Sequence, residues 1–390
     1  MARPYRKFHS FITGYLLVAT TLLVAYSQSA IAGEPDDISA RMRKSIAAGE
    51  ISGAVTLVRH RGKVVHLAAV GKADIDNNQP MQADSLFAIA SMTKPITATG
   101  LLILQDAGKL SVDDAVSKYL PKFSSVKLNG TSPPRPITIR DLLTHTSGIG
   151  GGQQNQGSLQ RTVALLAKEP MRFSPGEKWQ YSPGLTVCGR VIEVVSGQPY
   201  DVFLKKHIFE PLKMVDTTFY PSAEQRKRIV SIYKPGKTKG TIEATDHWLT
   251  GLSDKRTPNP SGGLFSTAAD MGRFYQAILD GGELDKKRIV SKKAVLQMTK
   301  LQTGKLVTGF TPGNGWGLGW CIVQKPQGVS RMLSQGTFGH GGLFGTQGWV
   351  DPQQKTIFVL MIQRTQFGNA DASDIRGNFQ QLAVDFLNEP

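Results

Sequence analysis

Ser91 and Lys94, in the stretch "FAIASMTKPITATGLLILQ", are the pair whose residue types and spacing best suit nucleophilic chemistry. A serine hydroxyl attacks a carbonyl only when a neighbouring base takes its proton. Residues three apart share one face of a helix, so a helix starting here brings Lys94 to Ser91. Free amide hydrogens at a helix start stabilise a developing oxyanion. The same positive end, with burial, pushes the ammonium toward its neutral, basic form. The pair also suits a serine N-cap with a lysine in the first turn, although a cation there has the wrong sign for the helix dipole. Ser-x-x-Lys recurs at Ser124 with Lys127 and at Ser231 with Lys234. The first of these follows "YLPKF" in a loop, and the second lies in a basic, turn-rich region with no helix to organise it.

Two more clusters carry chemically capable side chains. Tyr181 lies in the Pro/Gly-rich "FSPGEKWQYSPG". A phenol beside a lysine shares a proton with it, and the pair titrates as a unit; alternatively the ring only packs the loop on the core. His340, in "GTFGHGGLFG", stands among five glycines between Gly336 and Gly345. Glycines in a strand let a ligand approach the backbone closely, and nearby amides offer a second oxyanion donor. A lone histidine also serves structure alone.

Several elements must hold these clusters. Pro95 fits a first helical turn, so the helix is predicted to begin near Ser91 or Met92. Its body, "ITATGLLILQDA", is apolar around most of its circumference, which marks a buried central helix, and Gly108 ends it. Upstream, "ISGAVTLVRHRGKVVHLAAVG" reads as a hairpin turning within Arg59 to Lys63. Val55, Leu57, Val65 and Leu67 give it the alternation of a half-buried pair. From about Leu110 to Met298 the pattern is mainly helical, including "GLTVCGRVIEVVSGQ", "DVFLKKHIFEPL" and "STAADMGRFYQAILDGG". The last third turns to strands, "GWGLGWCIV", "FGTQGWV" and "TIFVLMIQR", before a final amphipathic helix, "SDIRGNFQQLAVDFL". Strands at both ends of a helical middle predict an α/β (α+β) fold. It has one antiparallel sheet formed from both termini, flanked by helices, with a mainly helical subdomain inserted. The expected boundaries are a single domain over 33–390, its sheet part at about 33–90 plus 305–390 and its helical part at about 91–304.

The first 32 residues read separately. Arg3, Arg6 and Lys7 precede an uncharged run that ends in Ala30-Ile31-Ala32. This is the pattern of a secretory signal peptide, cleaved after Ala32. The strongly apolar part, about Tyr15 to Tyr26, is shorter than the ~20 residues of a membrane span. Export to a bacterial periplasm or beyond is expected. The formal charge of +16 becomes +13 once Arg3, Arg6 and Lys7 are taken away. The basic residues cluster in loops such as "EQRKR" and "KPGKTKG" without interleaved aromatics, so no nucleic-acid partner is expected. Weak contact with anionic envelope components, or a solvated surface, explains them better. Cys188 and Cys321 lie in apolar segments and read as buried small side chains, with one disulfide as the alternative in an oxidising compartment. Neither has a metal partner at ligand spacing, nor do His60, His66, His207 and His247 share one.

Taken together, "FAIASMTKPITATGLLIL", "KLSVDDAVSKYLPKF", "ITIRDLLTHTSGI", "FSPGEKWQYSPG", "PLKMVDTTF", "GGLFSTAADMGRF" and "FGHGG" resemble the serine β-lactamase and penicillin-binding-protein superfamily. The likeness is to its class C-like branch, which includes family VIII carboxylesterases and D-amino-acid peptidases. It runs over nearly all of the chain after residue 32, with Tyr181 placed 90 residues after Ser91 and His340 another 159 on. The resemblance implies acyl transfer through an acyl-enzyme on Ser91, with Lys94 and Tyr181 accepting its proton. It implies an oxyanion held by the amides of Ser91 and Leu343, and substrate contacts at His340, Gly341, Gly342 and Leu343. No metal and no organic cofactor are implied, and the substrate is a small-molecule ester, lactam or peptide. His145, in "LLTHTSG", is expected to shape a turn near the site.

The β-lactamases of this branch usually carry Tyr-x-Asn and Lys-Thr-Gly where this chain has Tyr181-Ser182-Pro183 and His340-Gly341-Gly342. Proline removes an amide that would hold a substrate amide. Histidine removes a permanent positive charge, although protonated it still binds a carboxylate. Both changes favour a carboxylesterase on short or moderate acyl esters. A β-lactamase or D-Ala-type peptidase is the second reading, and a catalytically weak envelope binding or scaffold protein the third. The G-x-S-x-G elbow of α/β-hydrolases is absent.

Overall fold

A computed structural model describes residue 1 and residues 37–152, 157–253 and 256–388. The proposed signal segment lies outside the described residues, apart from Met1. Residues Asp36–Pro390 form one compact unit.

An eight-stranded antiparallel sheet is its frame. In spatial order it runs Asn314–Trp316, Cys321–Val323, Phe338–Gly341, Gln347–Asp351, Thr356–Met361, Gly53–His60, Lys63–Asp74 and Gln79–Pro80. The two ends of the chain meet in its middle, where Val55 pairs with Met361 and Leu57 with Val359. The fold is thus the α+β arrangement expected, with a sheet from both termini around a helical insertion.

The half-buried hairpin is corrected in one respect. Gly53 to Val58 are all buried, because their strand lies inside the sheet and both its faces are covered. Val55 and Leu57 pack into one apolar core. Ala54 and Val58 pack into the other, beneath the terminal helices Asp37–Ala47 and Asp374–Asn388. Leu67 on the second strand of the hairpin is 45% exposed instead. The turn itself falls at Arg61 and Gly62, both at positive φ, as foreseen.

"GWGLGWCIV" is a second correction, since it forms two short strands joined by a tight turn. Gly319 makes that turn at φ 78°, and a Cβ there would run into Ala98 of the central helix. Glycine therefore lets the sheet close against the helix that positions the site. Among the described residues no helix is long and apolar enough to cross a membrane.

Candidate active site

The central helix runs Thr93–Asp106 and follows a single 3-10 turn, Ala90–Met92, that contains Ser91. Nearly every residue of its first three turns is buried, from Thr93 to Leu102. Thr97 and Thr99 return their hydroxyls to the carbonyls of Thr93 and Pro95, which lets polar side chains sit in an apolar core. Gly108 closes the helix end at φ 69°. Ala90, a residue with a Cβ, is held at φ 44° just before Ser91. Such strain persists only where surrounding structure enforces it. Here Ile89 donates its amide to the Leu264 carbonyl, and the Leu264 amide reaches the Thr93 hydroxyl.

The capping alternative for Ser91 does not hold. No side chain caps either the 3-10 turn or the helix. Ser91 Oγ instead accepts a hydrogen bond from Lys94 Nζ at 3.1 Å. Lys94 is fully buried, and its ammonium also donates to the Ser261 carbonyl at 2.5 Å. Burial lowers its pKa from 10.5 to about 7, against a smaller upward pull from Asp371. Ser91 itself keeps partial exposure.

Tyr181 lies in the loop before the helix Gly184–Ser196, which packs against the central helix. A Cβ on Gly184 would strike the Leu142 carbonyl, so glycine allows this helix start to press onto the segment Ile139–Leu143. The Tyr181 ring lies 4.6 Å from Lys94 Nζ. Burial drives its phenol well above the ordinary range, with Ser91 pulling weakly the other way. The phenol is thus close enough to Ser91 to feel its hydroxyl, yet no protein group completes a hydrogen bond with it. Both members of the expected proton-sharing pair are pushed toward neutrality, and Lys94 is the member that accepts a proton near neutral pH.

His145 does more than shape a turn. Its φ is 60°, and its carbonyl accepts the Gln180 amide at 2.9 Å while its Nδ1 accepts the Ser182 amide at 3.2 Å. Those two bonds bracket Tyr181, and the imidazole packs on the phenol ring at 4.5 Å. Burial keeps His145 well below the ordinary histidine range, so it is a neutral support.

His340 lies on the strand Phe338–Gly341, its ring 6.1 Å from that of Tyr181. Its Nδ1 donates to the Gly341 carbonyl at 2.6 Å, which leaves Nε2 as a buried acceptor without a protein partner. Burial, with Lys94 adding to it, lowers its pKa to about 3. With no anion beside its ring, this imidazole is held neutral, away from the protonated form expected to bind a carboxylate. A Cβ on Gly342 would collide with the Ile89 carbonyl and the Thr346 hydroxyl, so the strand end presses against the nucleophile's turn. Leu343 follows in that bend with its side chain 48% exposed.

Sequence reasoning missed the aromatic wall and one carboxylate. Trp179, Phe310 and Trp316 surround Tyr181, with Phe310 edge-on to its ring at 5.0 Å. Asp371 reaches the strand at Gly341. Ser124 and Ser231 bond elsewhere, to the Pro121 carbonyl and to Asp74. Cys188 and Cys321 are buried and unpaired.

A buried amine of lowered pKa beside a partly exposed serine, with a protonated phenol across from them, defines a serine hydrolase geometry. The beta-lactamase family pattern matches residues 38–383. Esterase EstB of Burkholderia gladioli is 31% identical over 350 residues, covering 81% of this chain and 86% of its own. The D-alanyl-D-alanine-carboxypeptidase/endopeptidase AmpH of Escherichia coli K12 is 27% identical over 377 residues, covering 91% of this chain and 93% of its own. The solved structure of EstCE1, a hydrolase with promiscuous acyltransferase activity, superposes with a TM-score of 0.76 at 23% identity, covering 90% and 98% of the two chains. The chain belongs to the beta-lactamase family, within the serine β-lactamase and penicillin-binding-protein superfamily.

Proposed function

We propose that this protein is an exported serine hydrolase, a carboxylesterase that works on short or moderate acyl esters through an acyl-enzyme on Ser91. The observation that carries the reading is the 3.1 Å contact between Lys94 Nζ and Ser91 Oγ, made by an amine that burial brings to a pKa of about 7. Ser91 Oγ attacks the ester carbonyl carbon as its proton passes to Lys94. The amides of Ser91 and Leu343 hold the oxyanion. The carbon–oxygen bond to the alcohol breaks, and the departing oxygen takes a proton relayed from Lys94 through the Tyr181 phenol. Water then attacks the acyl-enzyme by the same proton path and releases the acid. The preference for esters is supported by the uncharged His340, which offers no cation to a lactam or D-peptide carboxylate, and by the likeness to an esterase.

The test is intact mass and turnover with p-nitrophenyl butyrate, a penicillin and a cephalosporin, comparing the wild type with Ser91→Ala. Ester turnover that falls by about 10³-fold or more in the variant, without a lasting lactam adduct, is expected. A Ser91-dependent penicilloyl adduct or fast lactam hydrolysis would put the cell-wall reading ahead. No Ser91-dependent chemistry at all would favour a binding protein. Export is tested by the N-terminus of the protein recovered outside the cytoplasm, which should begin at Gly33.

A further inference from the structure

We propose that Asp371 sets the charge preference of this site: it turns over uncharged esters and rejects those that carry a carboxylate. The inference rests on the Ser91 hydrolase reading and adds to it the substrate class. Asp371 sits in the 3-10 turn Ala370–Ala372, just ahead of the C-terminal helix. Its carboxylate lies directly on the strand that carries His340. A Cβ built on Gly341, the residue after His340, would collide with Asp371 Oδ1, so glycine is what admits the carboxylate there.

The surrounding bonds fix it in that place. Gln347 pairs across the ladder with Gly341 and donates Nε2 to Asp371 Oδ1 at 3.2 Å and to the Ala370 carbonyl at 3.1 Å. Trp349 Nε1 donates to Gln347 Oε1 at 2.9 Å, which decides which way that amide faces. Arg376, wholly buried and stacked 3.8 Å from the Trp349 ring, gives Nη1 to the Asp371 main-chain oxygen at 2.5 Å. It gives Nε to Gln380 at 3.1 Å. These guanidinium bonds locate the turn and pass the carboxylate by.

The carboxylate is electrostatically linked to the groups of the site. Burial pushes Asp371 up, while Arg376, Gln347 and Lys94 pull it back toward the ionised form. Its field reaches both Lys94 and Tyr181. Asp371 is partly exposed, and His340, the residue before Gly341, is neutral with Nε2 unpartnered. A substrate carboxylate entering here meets the like charge of Asp371 and finds no compensating cation on His340, which is discrimination by repulsion.

The experiment uses two ester pairs matched in shape and differing in charge, with the wild type, Asp371→Asn and Asp371→Ser. One pair varies the acyl arm: p-nitrophenyl hemiglutarate against p-nitrophenyl glutaramate. The other varies the leaving group: 3-carboxyphenyl butyrate against 3-carbamoylphenyl butyrate. The quantity read is the anionic-to-neutral ratio of kcat/KM, so a general loss of activity in a variant cancels. In both variants that ratio should rise about tenfold or more for at least one pair, as removing a like charge from a partly enclosed site requires; the pair that moves identifies the arm facing Asp371. Ratios within about twofold of wild type for both pairs, with turnover still abolished by Ser91→Ala, would overturn the inference alone. Absence of Ser91-dependent turnover in the wild type would overturn the hydrolase reading and this inference with it.

Discussion

Lys94 and His340 are both fully buried bases within one site, and burial lowers the pKa of each. The consequence differs because their starting points differ. Lys94 falls from 10.5 to about 7, where it gains and loses a proton at working pH. His340 falls from 6.5 to about 3, where it is locked neutral. One desolvation cost therefore makes a base at one corner and removes a cation at the other. The same comparison separates ester chemistry from carboxylate recognition, since only the second needs a permanent charge at position 340.

The comparison breaks most readily at Lys94. Replacing it with methionine keeps the apolar packing but removes the proton acceptor, and kcat for p-nitrophenyl butyrate should fall by about 10³-fold, within the usual span for a general base. His340→Gln keeps a neutral hydrogen-bonding group, and its loss should stay near tenfold or below. If the two variants lose activity equally, His340 takes part in proton transfer and the division between the corners fails.

A smaller effect sharpens it. Lys94 works as a base only when neutral, so kcat/KM should rise with pH through an inflection near 7 and level above it. His340 changes charge well below that range, so His340→Gln should leave the inflection where it is. An inflection that vanishes in His340→Gln would transfer the titration to the imidazole.

How much of this was legible in the chain depends on how local each feature is. Ser91, Lys94 and Tyr181 stand in short stretches whose glycine, proline and helix signals arise from neighbouring residues, and the structure brings the three together. Asp371 was hidden because "GNADASDIRG" reads as polar residues ahead of a helix. Only the pairing of Gly341 with Gln347, and the bond from Gln347 to the turn, bring that carboxylate to the site. The aromatic wall was hidden likewise, since Trp179 and Trp316 meet through tertiary packing at 5.2 Å. In the first strand, alternation misled because a strand covered on both faces is apolar throughout. For "GWGLGWCIV" the signal was present and misread: two glycines two residues apart, one at positive φ, mark a turn.

The smallest effect is on stability, and it separates the two bases once more. Between pH 7 and 10.5 the unfolded chain holds a proton on Lys94 that the folded chain gives up, so this group's contribution to stability rises with pH across that window. Its cost is complete below about 7 and gone above 10.5. Lys94→Met should therefore be more stable than wild type at pH 7, by about 2 kcal/mol after the lost bonds to Ser91 and Ser261 are set against the relief. The advantage should shrink toward pH 10 in urea unfolding. For His340 the window lies between 6.5 and about 3, and stability is lost as pH falls through it. His340→Gln should gain nothing at pH 7 and overtake wild type only below about 6. A His340→Gln variant already more stable at pH 7, with a gap that does not change with pH, would mean that packing at this strand, and not the buried imidazole's charge, governs the difference.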